Sequence, residues 1–211
     1  MALFVTLEGV EGAGKSTLRD SLAVLLKNEF PEIVTTREPG ATKLGQIIRS
    51  LLLDPANKEL DPLAELMLFS ADRAQHVAEI IRPALTRGAL VLCDRFIHST
   101  LAYQGYGRGL HLPLLEGLNS VSTGNLAPDL VLLLDLPPEE GLRRAEARAS
   151  ASIDAALTRF EEHELSFHQR VREGFLELAK QKGAPIVVLN ARLAPQDLTA
   201  IAAREIRALK T

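Results

Sequence analysis

Gly9-Val10-Glu11-Gly12-Ala13-Gly14-Lys15-Ser16-Thr17 combines residue types that can hold a chain of phosphates. The spacing is G-x-x-x-x-G-K-[ST], a phosphate-binding loop. Its glycines let backbone N–H groups turn inward around an anion. Lys15 is placed to reach the outer phosphates of a nucleoside triphosphate, and the Ser16 hydroxyl to ligate Mg²⁺. The chemistry requires a strand before the loop and a helix after it. Leu3-Phe4-Val5-Thr6-Leu7 is a short apolar run that suits a buried strand, and Leu18, Leu22, Leu25 and Leu26 recur at helical spacing. A helix starting at the loop adds its partial positive charge and unpaired donors. The loop indicates a bound triphosphate and leaves the phosphoryl acceptor open.

Open parallel sheets bind ligands at the carboxyl ends of their strands, so the other strand ends are the next place to look. Leu90-Val91-Leu92-Cys93 runs into Asp94-Arg95. A carboxylate there can orient Mg²⁺ or its water shell, and a guanidinium can fork onto a phosphate. Ile33-Val34-Thr35 leads to Arg37-Glu38-Pro39-Gly40, where Pro and Gly fix a turn at the sheet edge. This stretch suits an ordinary polar turn as well as a site. Phe69 and Arg73 lie four apart in an expected helix and share a face. They suit either a base-stacking platform or a core ring beside a solvated arginine. Ser99 to Gly109 holds both tyrosines, Tyr103 and Tyr106, with Gln104 among glycines. It can offer a ring and an amide fork to a nucleotide, or form a glycine-rich surface loop. Arg143, Arg144, Arg148 and Arg159 surround an Ala/Ser-rich stretch, residues 147–157, that suits a mobile flap. An arginine closing from there would stabilise charge on a transferring phosphoryl group. Alternatively these arginines pair with Glu139, Glu140 and Glu146 along a solvated helix.

The elements that must position these residues follow from the hydrophobic pattern. Besides the first strand, residues 33–35, 90–92, 130–134 and 186–189 form apolar runs without alternation, as in a parallel sheet covered on both faces. Helices are expected over 42–53, 62–87, 113–122, 138–149, 159–182 and 195–210, with Gly88 ending the second. The alternation predicts a single α/β domain spanning residues 1–211. A net charge of −3 gives no general attraction to nucleic acid or anionic membrane. The single Cys93 excludes an internal disulfide and a cysteine-built metal site. No apolar run is long enough to span a bilayer, and the first strand starts too early for a signal peptide, so a cytoplasmic enzyme is expected. A nucleotide switch is disfavoured. Asn57-Lys58-Glu59-Leu60 lacks the Asp of a guanine-reading motif, and no Asp-x-x-Gly follows a strand.

Taken in order, the phosphate loop, Thr36-Arg37-Glu38-Pro39-Gly40, Leu68-Phe69-Ser70-Ala71-Asp72-Arg73, Asp94-Arg95-Phe96 with Ser99, and Ala102-Tyr103-Gln104-Gly105 resemble the thymidylate kinase family over nearly the whole chain. The resemblance implies a phosphate-loop NTPase-type three-layer fold, with five parallel strands flanked by helices and a mobile lid over roughly 143–159. It implies transfer of the γ-phosphoryl of ATP to dTMP with Mg²⁺, and a homodimer packed through helices. It assigns Gly9 to Thr17 to ATP, and Ser16 and Asp94 to the metal. Lys15, Asp94, Arg95 and a lid arginine are assigned to catalysis. Arg95 and Arg49 hold the dTMP phosphate, Phe69 stacks on thymine, and Arg73 bonds its edge. Glu11 faces the sugar, Tyr103 disfavours a ribose 2′-hydroxyl, and Arg37, Ser99 and Gln104 complete the acceptor site. The family has two loop types, one with arginine in the loop and one with it in the lid. Gly12 stands at the loop position, so the resemblance is to the bacterial lid-arginine type, with Arg148 as that residue. The lid departs from the family pattern, with Ala149 where a glycine is usual and Thr158-Arg159-Phe160-Glu161 for Asp-Arg-Ile/Phe-Glu.

Overall fold

In the computed structural model, β1 (Leu3–Glu8) is the central strand of a parallel sheet with β2 (Ile33–Arg37), β3 (Leu90–Asp94), β4 (Leu130–Asp135) and β5 (Ile186–Asn190). The order is β2-β3-β1-β4-β5. The structure describes residues 2–151, 160, 163–181 and 185–210, without the side chains at 148, 149 and 151. Every residue of β1 and β3 is buried, which is why their sequences run apolar with no polar alternation. Register places Leu7 beside Asp94 and Arg37 beside Asp94, so three strand ends finish at one level. The strand order reverses at β1, where such sheets open a crevice for ligand.

Helices cover both faces, as expected from the pattern. α1 (Lys15–Leu26) starts straight after Gly14, whose left-handed φ of 92° ends the loop. It buries Leu18, Leu22 and Leu26, while Leu25 at the rim of that stripe stays half exposed. α2 (Lys43–Leu53) is capped by Thr42, whose hydroxyl accepts the Gly45 N–H. The helix expected over 62–87 is continuous but not uniform. α3 (Pro62–His76) passes into a π-helical turn, Val77–Ile81, before α4 (Arg82–Thr86). Pro83 explains the wide turn. Proline cannot donate to the preceding turn and its ring crowds it, and the π turn, with Arg82 N–H reaching Val77 O, relieves that conflict. Gly88, with φ 83°, follows the helix end as expected.

The segment read as either a nucleotide contact or a surface loop is buried helix. α5 (Ile97–Thr100) continues into a π-helical stretch, Leu101–Gly107, that packs on α8 (Leu165–Lys180). The glycines serve close approach here. A Cβ on Gly174 would lie 2.5 Å from the Tyr106 ring, and one on Gly107 would lie 2.7 Å from Phe167. α8 also begins later than expected, after a turn in which His163 N–H meets Phe160 O and Phe160 buries its ring. α6 (Leu112–Thr123), α7 (Pro138–Ala151) and α9 (Pro195–Ala208) complete the layers, all with proline in the first turn. Because α7 runs to Ala151, the first part of the expected flap is helical; residues 152–159 lie outside the described residues. The core joins Leu7, Leu22, Leu92, Leu132 and Ala202 across the sheet, and buries Cys93, whose thiol is pushed well up by burial.

Candidate active site

A cleft of about 350 Å³ opens at the carboxyl ends of β1, β2 and β3. Its lining includes Glu11, Lys15, Ser16, Arg37, Arg49, Phe69, Arg73, Asp94, Arg95, Ser99, Tyr103 and Gln104, so residues spread over ninety positions of sequence meet in one space.

At the phosphate-loop end, Lys15 is buried and donates to the carbonyls of Gly9 and Val10 at 3.1 and 2.8 Å. Burial pulls its ammonium down to about 8, with Arg95 adding to the effect and Asp94, Glu11 and Glu8 opposing it. Ser16 Oγ donates to Asp94 Oδ2 at 2.6 Å, which puts the two residues expected at a metal in contact. The crest of the loop is walled by backbone. A Cβ on Gly12 (φ 67°) would fall 2.1 Å from Gly141 O in α7, and one on Gly141 would fall 2.2 Å from Glu11 O. Gly12 is therefore fixed by contact as well as by conformation, and no side chain fits there.

Arg95 occupies the centre of the cleft. Its φ of 71° is left-handed, a conformation that costs a non-glycine residue about 1–2 kcal/mol. Three backbone contacts hold that turn: Arg95 N–H to Leu7 O, Cys93 Sγ to Arg95 O, and Phe96 N–H to Glu8 Oε1 at 2.8 Å. The guanidinium donates to Gly9 O, Ser99 Oγ, Glu11 Oε1 and Tyr103 OH, all within 3.0–3.2 Å, and lies 4.8 Å above the Tyr103 ring. Burial works against its charge, but Tyr103 and the carboxylates of Glu11, Asp94 and Glu8 hold it firmly protonated. Tyr103 OH donates to Glu11 Oε1 at 2.6 Å, and His168 Nδ1 stands 3.3 Å from Glu11 Oε2. Burial would raise the Glu11 carboxyl, yet His168, Arg95, Lys15 and Tyr103 keep it well below the usual carboxylate range.

Arg73 is not a solvated helix arginine. It is 1 % exposed and donates to Glu38 at 2.8 Å, Asn119 at 2.6 Å and Phe96 O at 3.2 Å. Glu38 lies also against His76, whose other ring nitrogen meets Thr36 Oγ1 at 2.7 Å. The Arg-Glu-Pro-Gly turn is thus an anchored network, not a free polar turn. Asp72 accepts the Gly40 N–H, and its carboxyl is pushed up to about 6 by burial and by Glu38. Arg49 donates to Pro39 O and is drawn down to about 10 by burial and by Arg37 and Arg95. Phe69 faces Phe160 with ring centroids 6.1 Å apart, and Phe160 also meets the edge of Tyr103. Gln104 is held by Glu65, which Arg108 also engages.

Several of these groups were not visible in the sequence. Glu8, Glu65, His76, Asn119 and His168 are all buried and all aimed at named site residues. Only Glu8 carried a signal, a lone acid ending an apolar strand next to the loop. On α7, Arg144 pairs with Glu140 at 2.6 Å and Arg143 donates to Glu139 O, as expected of a solvated helix. Arg148 lies on the same helix with its side chain outside the described residues, and Arg159 lies outside them altogether.

A central parallel sheet, a phosphate loop on its middle strand and an arginine-lined acceptor cleft beside it define a phosphate-loop kinase of small acceptors. The family model for thymidylate kinase matches residues 7–200. The chain is 50% identical over 209 residues to the thymidylate kinase of Desulfosudis oleivorans, covering 99% of this chain and 96% of that one. It is 52% identical over 197 residues to that of Desulfovibrio desulfuricans, covering 93% and 91%. The crystal structure of thymidylate kinase from Ehrlichia chaffeensis superposes with a TM-score of 0.77 at 31% identity, over 97% of this chain and 98% of that one. The chain belongs to the thymidylate kinase family.

Proposed function

We propose that the cleft works as follows. The enzyme phosphorylates dTMP to dTDP with ATP. An oxygen of the dTMP phosphate attacks the γ-phosphorus of ATP, the bond to the β–γ bridging oxygen breaks, and ADP leaves. No covalent enzyme intermediate is needed, so catalysis rests on positioning and charge. ATP phosphates lie along Gly9 to Thr17 with Lys15 donating to the outer ones. The dTMP phosphate takes up Arg95, assisted by Arg49 and Arg37, while Phe69 stacks on thymine. Three of the five Arg73 donors are engaged by protein, which leaves two for the base edge. Glu11 and Tyr103 close on the sugar. What carries this assignment is Arg95: it stands between the phosphate loop, at Gly9 O, and the acceptor walls, at Tyr103 and Ser99.

The hard oxygen donors of Ser16 and Asp94, in contact at 2.6 Å, fit Mg²⁺. No cluster of three acidic, His or Cys ligands exists among the described residues, which suits a cation that keeps waters and phosphate oxygens as its other ligands. Bound there, Mg²⁺ would neutralise charge on the phosphates of ATP. Arg148 supplies transition-state charge from the lid, since Gly12 admits no arginine in the loop. Exposed Leu44, Ile47 and Leu51 on α2, beside Leu63 and Met67 on the adjoining α3, support a homodimer packed through these helices. No helix among the described residues is long and apolar enough to cross a membrane, and a nucleotide substrate pair suits a cytoplasmic enzyme.

A coupled ATP assay with dTMP, dUMP, dCMP, dGMP and AMP tests the acceptor. dTMP is expected to give the highest kcat/KM, and a better acceptor in that panel overturns the assignment. Arg148→Ala is expected to lower kcat by about two to three orders of magnitude with little change in KM for dTMP.

A further inference from the structure

Glu8 ends β1 with its carboxylate fully buried, and neither oxygen serves the phosphate loop that follows it. Oε1 accepts the Phe96 N–H at 2.8 Å, the peptide that closes the left-handed Arg95 turn. Oε2 accepts the Ser99 hydroxyl at 2.5 Å, and Ser99 Oγ accepts Arg95 Nη1 at 3.1 Å. One carboxylate thus grips Arg95 at its backbone, across one peptide bond, and at its guanidinium, across one hydroxyl. The geometry points to Glu8 as a positioning residue that fixes the acceptor-phosphate arginine in its left-handed conformation, with Ser99 as the relay. This rests on the assignment of Arg95 to the dTMP phosphate.

The chemistry requires a carboxylate. Burial pushes the Glu8 carboxyl up to about 7, against the pull of Ser99, Arg95, the Phe96 N–H and Lys15, so the acid stays there at a desolvation cost that apolar packing would avoid. An amide cannot replace it. If the Gln oxygen faces Phe96 N–H, its nitrogen donates to Ser99 Oγ beside Arg95, and the hydroxyl proton loses its carboxylate acceptor. If the amide turns over, two donors meet at Phe96. Either way one of the two bonds that position Arg95 loses its charged acceptor while the strand keeps its shape.

Steady-state KM for dTMP and for ATP, with Tm, measured on the wild type, Glu8→Gln, Ser99→Ala, the double variant and Arg95→Ala, tests this. Glu8→Gln and Ser99→Ala are each expected to raise KM for dTMP about tenfold, the loss of one hydrogen bond to a charged group. KM for ATP is expected to stay within about twofold, and the double variant to match the worse single one, because both break the same relay. A wild-type KM for dTMP in Glu8→Gln, or equal rises for both substrates, overturns the proposal, as does an additive double variant. Should Glu8→Gln fail to fold, Glu8→Asp takes its place: a raised KM for dTMP that Ser99→Ala does not raise further supports the relay, and a wild-type KM or an additive pair overturns it. Arg95→Ala separates the two levels. If it leaves KM for dTMP unchanged, the phosphate assignment fails and the Glu8 role falls with it. If it raises KM while Glu8→Gln does not, only the Glu8 role fails.

Discussion

Arg73 on α3 and Arg144 on α7 each reach a glutamate within 2.8 Å, but Arg73 is 1 % exposed and the Arg144 side chain is 41% exposed. Around Arg73 every neighbour is also fixed: Glu38 by His76, His76 by Thr36, and the guanidinium by Asn119 and Phe96 O. Around Arg144 the partners are shared loosely, since Glu140 also takes Arg192 at the surface. The Arg73 side is therefore fixed by buried protein partners, and the α7 side carries an arginine that water reaches. On the assignment proposed above, a rigid reader of the base beside an adaptable source of charge is a sensible division for phosphoryl transfer. Base recognition gains from preorganisation, whereas charge on the moving group must be met late.

The sharpest way to break this comparison is Arg73→Ala. It strands Glu38 in the interior, so a loss of about 3–5 kcal/mol in stability and a large rise in KM for dTMP are expected by thermal or urea unfolding and steady-state kinetics. A Tm near that of the wild type would mean that the acceptor side is not anchored by this pair. Phe69→Ala comes next. Losing a stacking surface is expected to raise KM for dTMP by about tenfold or more, with KM for ATP little changed; equal effects on both substrates would remove Phe69 from base recognition. A smaller effect concerns pH. Lys15 falls to about 8 in the folded protein from 10.5, so it loses its proton as pH rises through 8, and kcat/KM for ATP is expected to decline over that range. The same shift means that the unfolded chain binds the proton more tightly between about 8 and 10.5. Stability from this group accordingly rises with pH across that window, a slope that Lys15→Met abolishes. Smallest is Arg144→Ala, expected to shift stability by about 0.5 kcal/mol or less and to leave kcat near the wild-type value. A large fall in kcat would make Arg144, and not Arg148, the source of lid charge.

The inner strands were legible in the sequence because a covered parallel strand has no solvated face to write polar residues on; the half-exposed edge strands β2 and β5 were legible by their short β-branched runs, and all five runs became strands. The phosphate loop, Arg95 and Asp94 were legible because strand ends converge at one edge. Helix ends followed where a glycine or a capping hydroxyl sets them, as at Gly88 and Thr42. What stayed hidden depends on partners far away in the chain. Glu8 meets Phe96 and Ser99 across 88 and 91 residues, and Arg73 meets Asn119 across 46. The local pattern shows Glu8 as a lone acid ending an apolar strand, but nothing in it marks donors that come from another strand end. The turn at Val77–Ile81 was hidden for the opposite reason: a single proline, Pro83, changes the helix pitch without breaking its hydrophobic period.

The contact between Gly12 and Gly141 reaches beyond this one fold. Two backbones touch there with no room for a methyl group on either side, so the loop and the start of α7 form a matched pair that sequence drift can only change together. A chimera that imports an arginine-bearing loop into this chain would have to move the start of α7 to make room for it. On the proposed lid assignment, the place of the decisive arginine is in that sense tied to two segments at once.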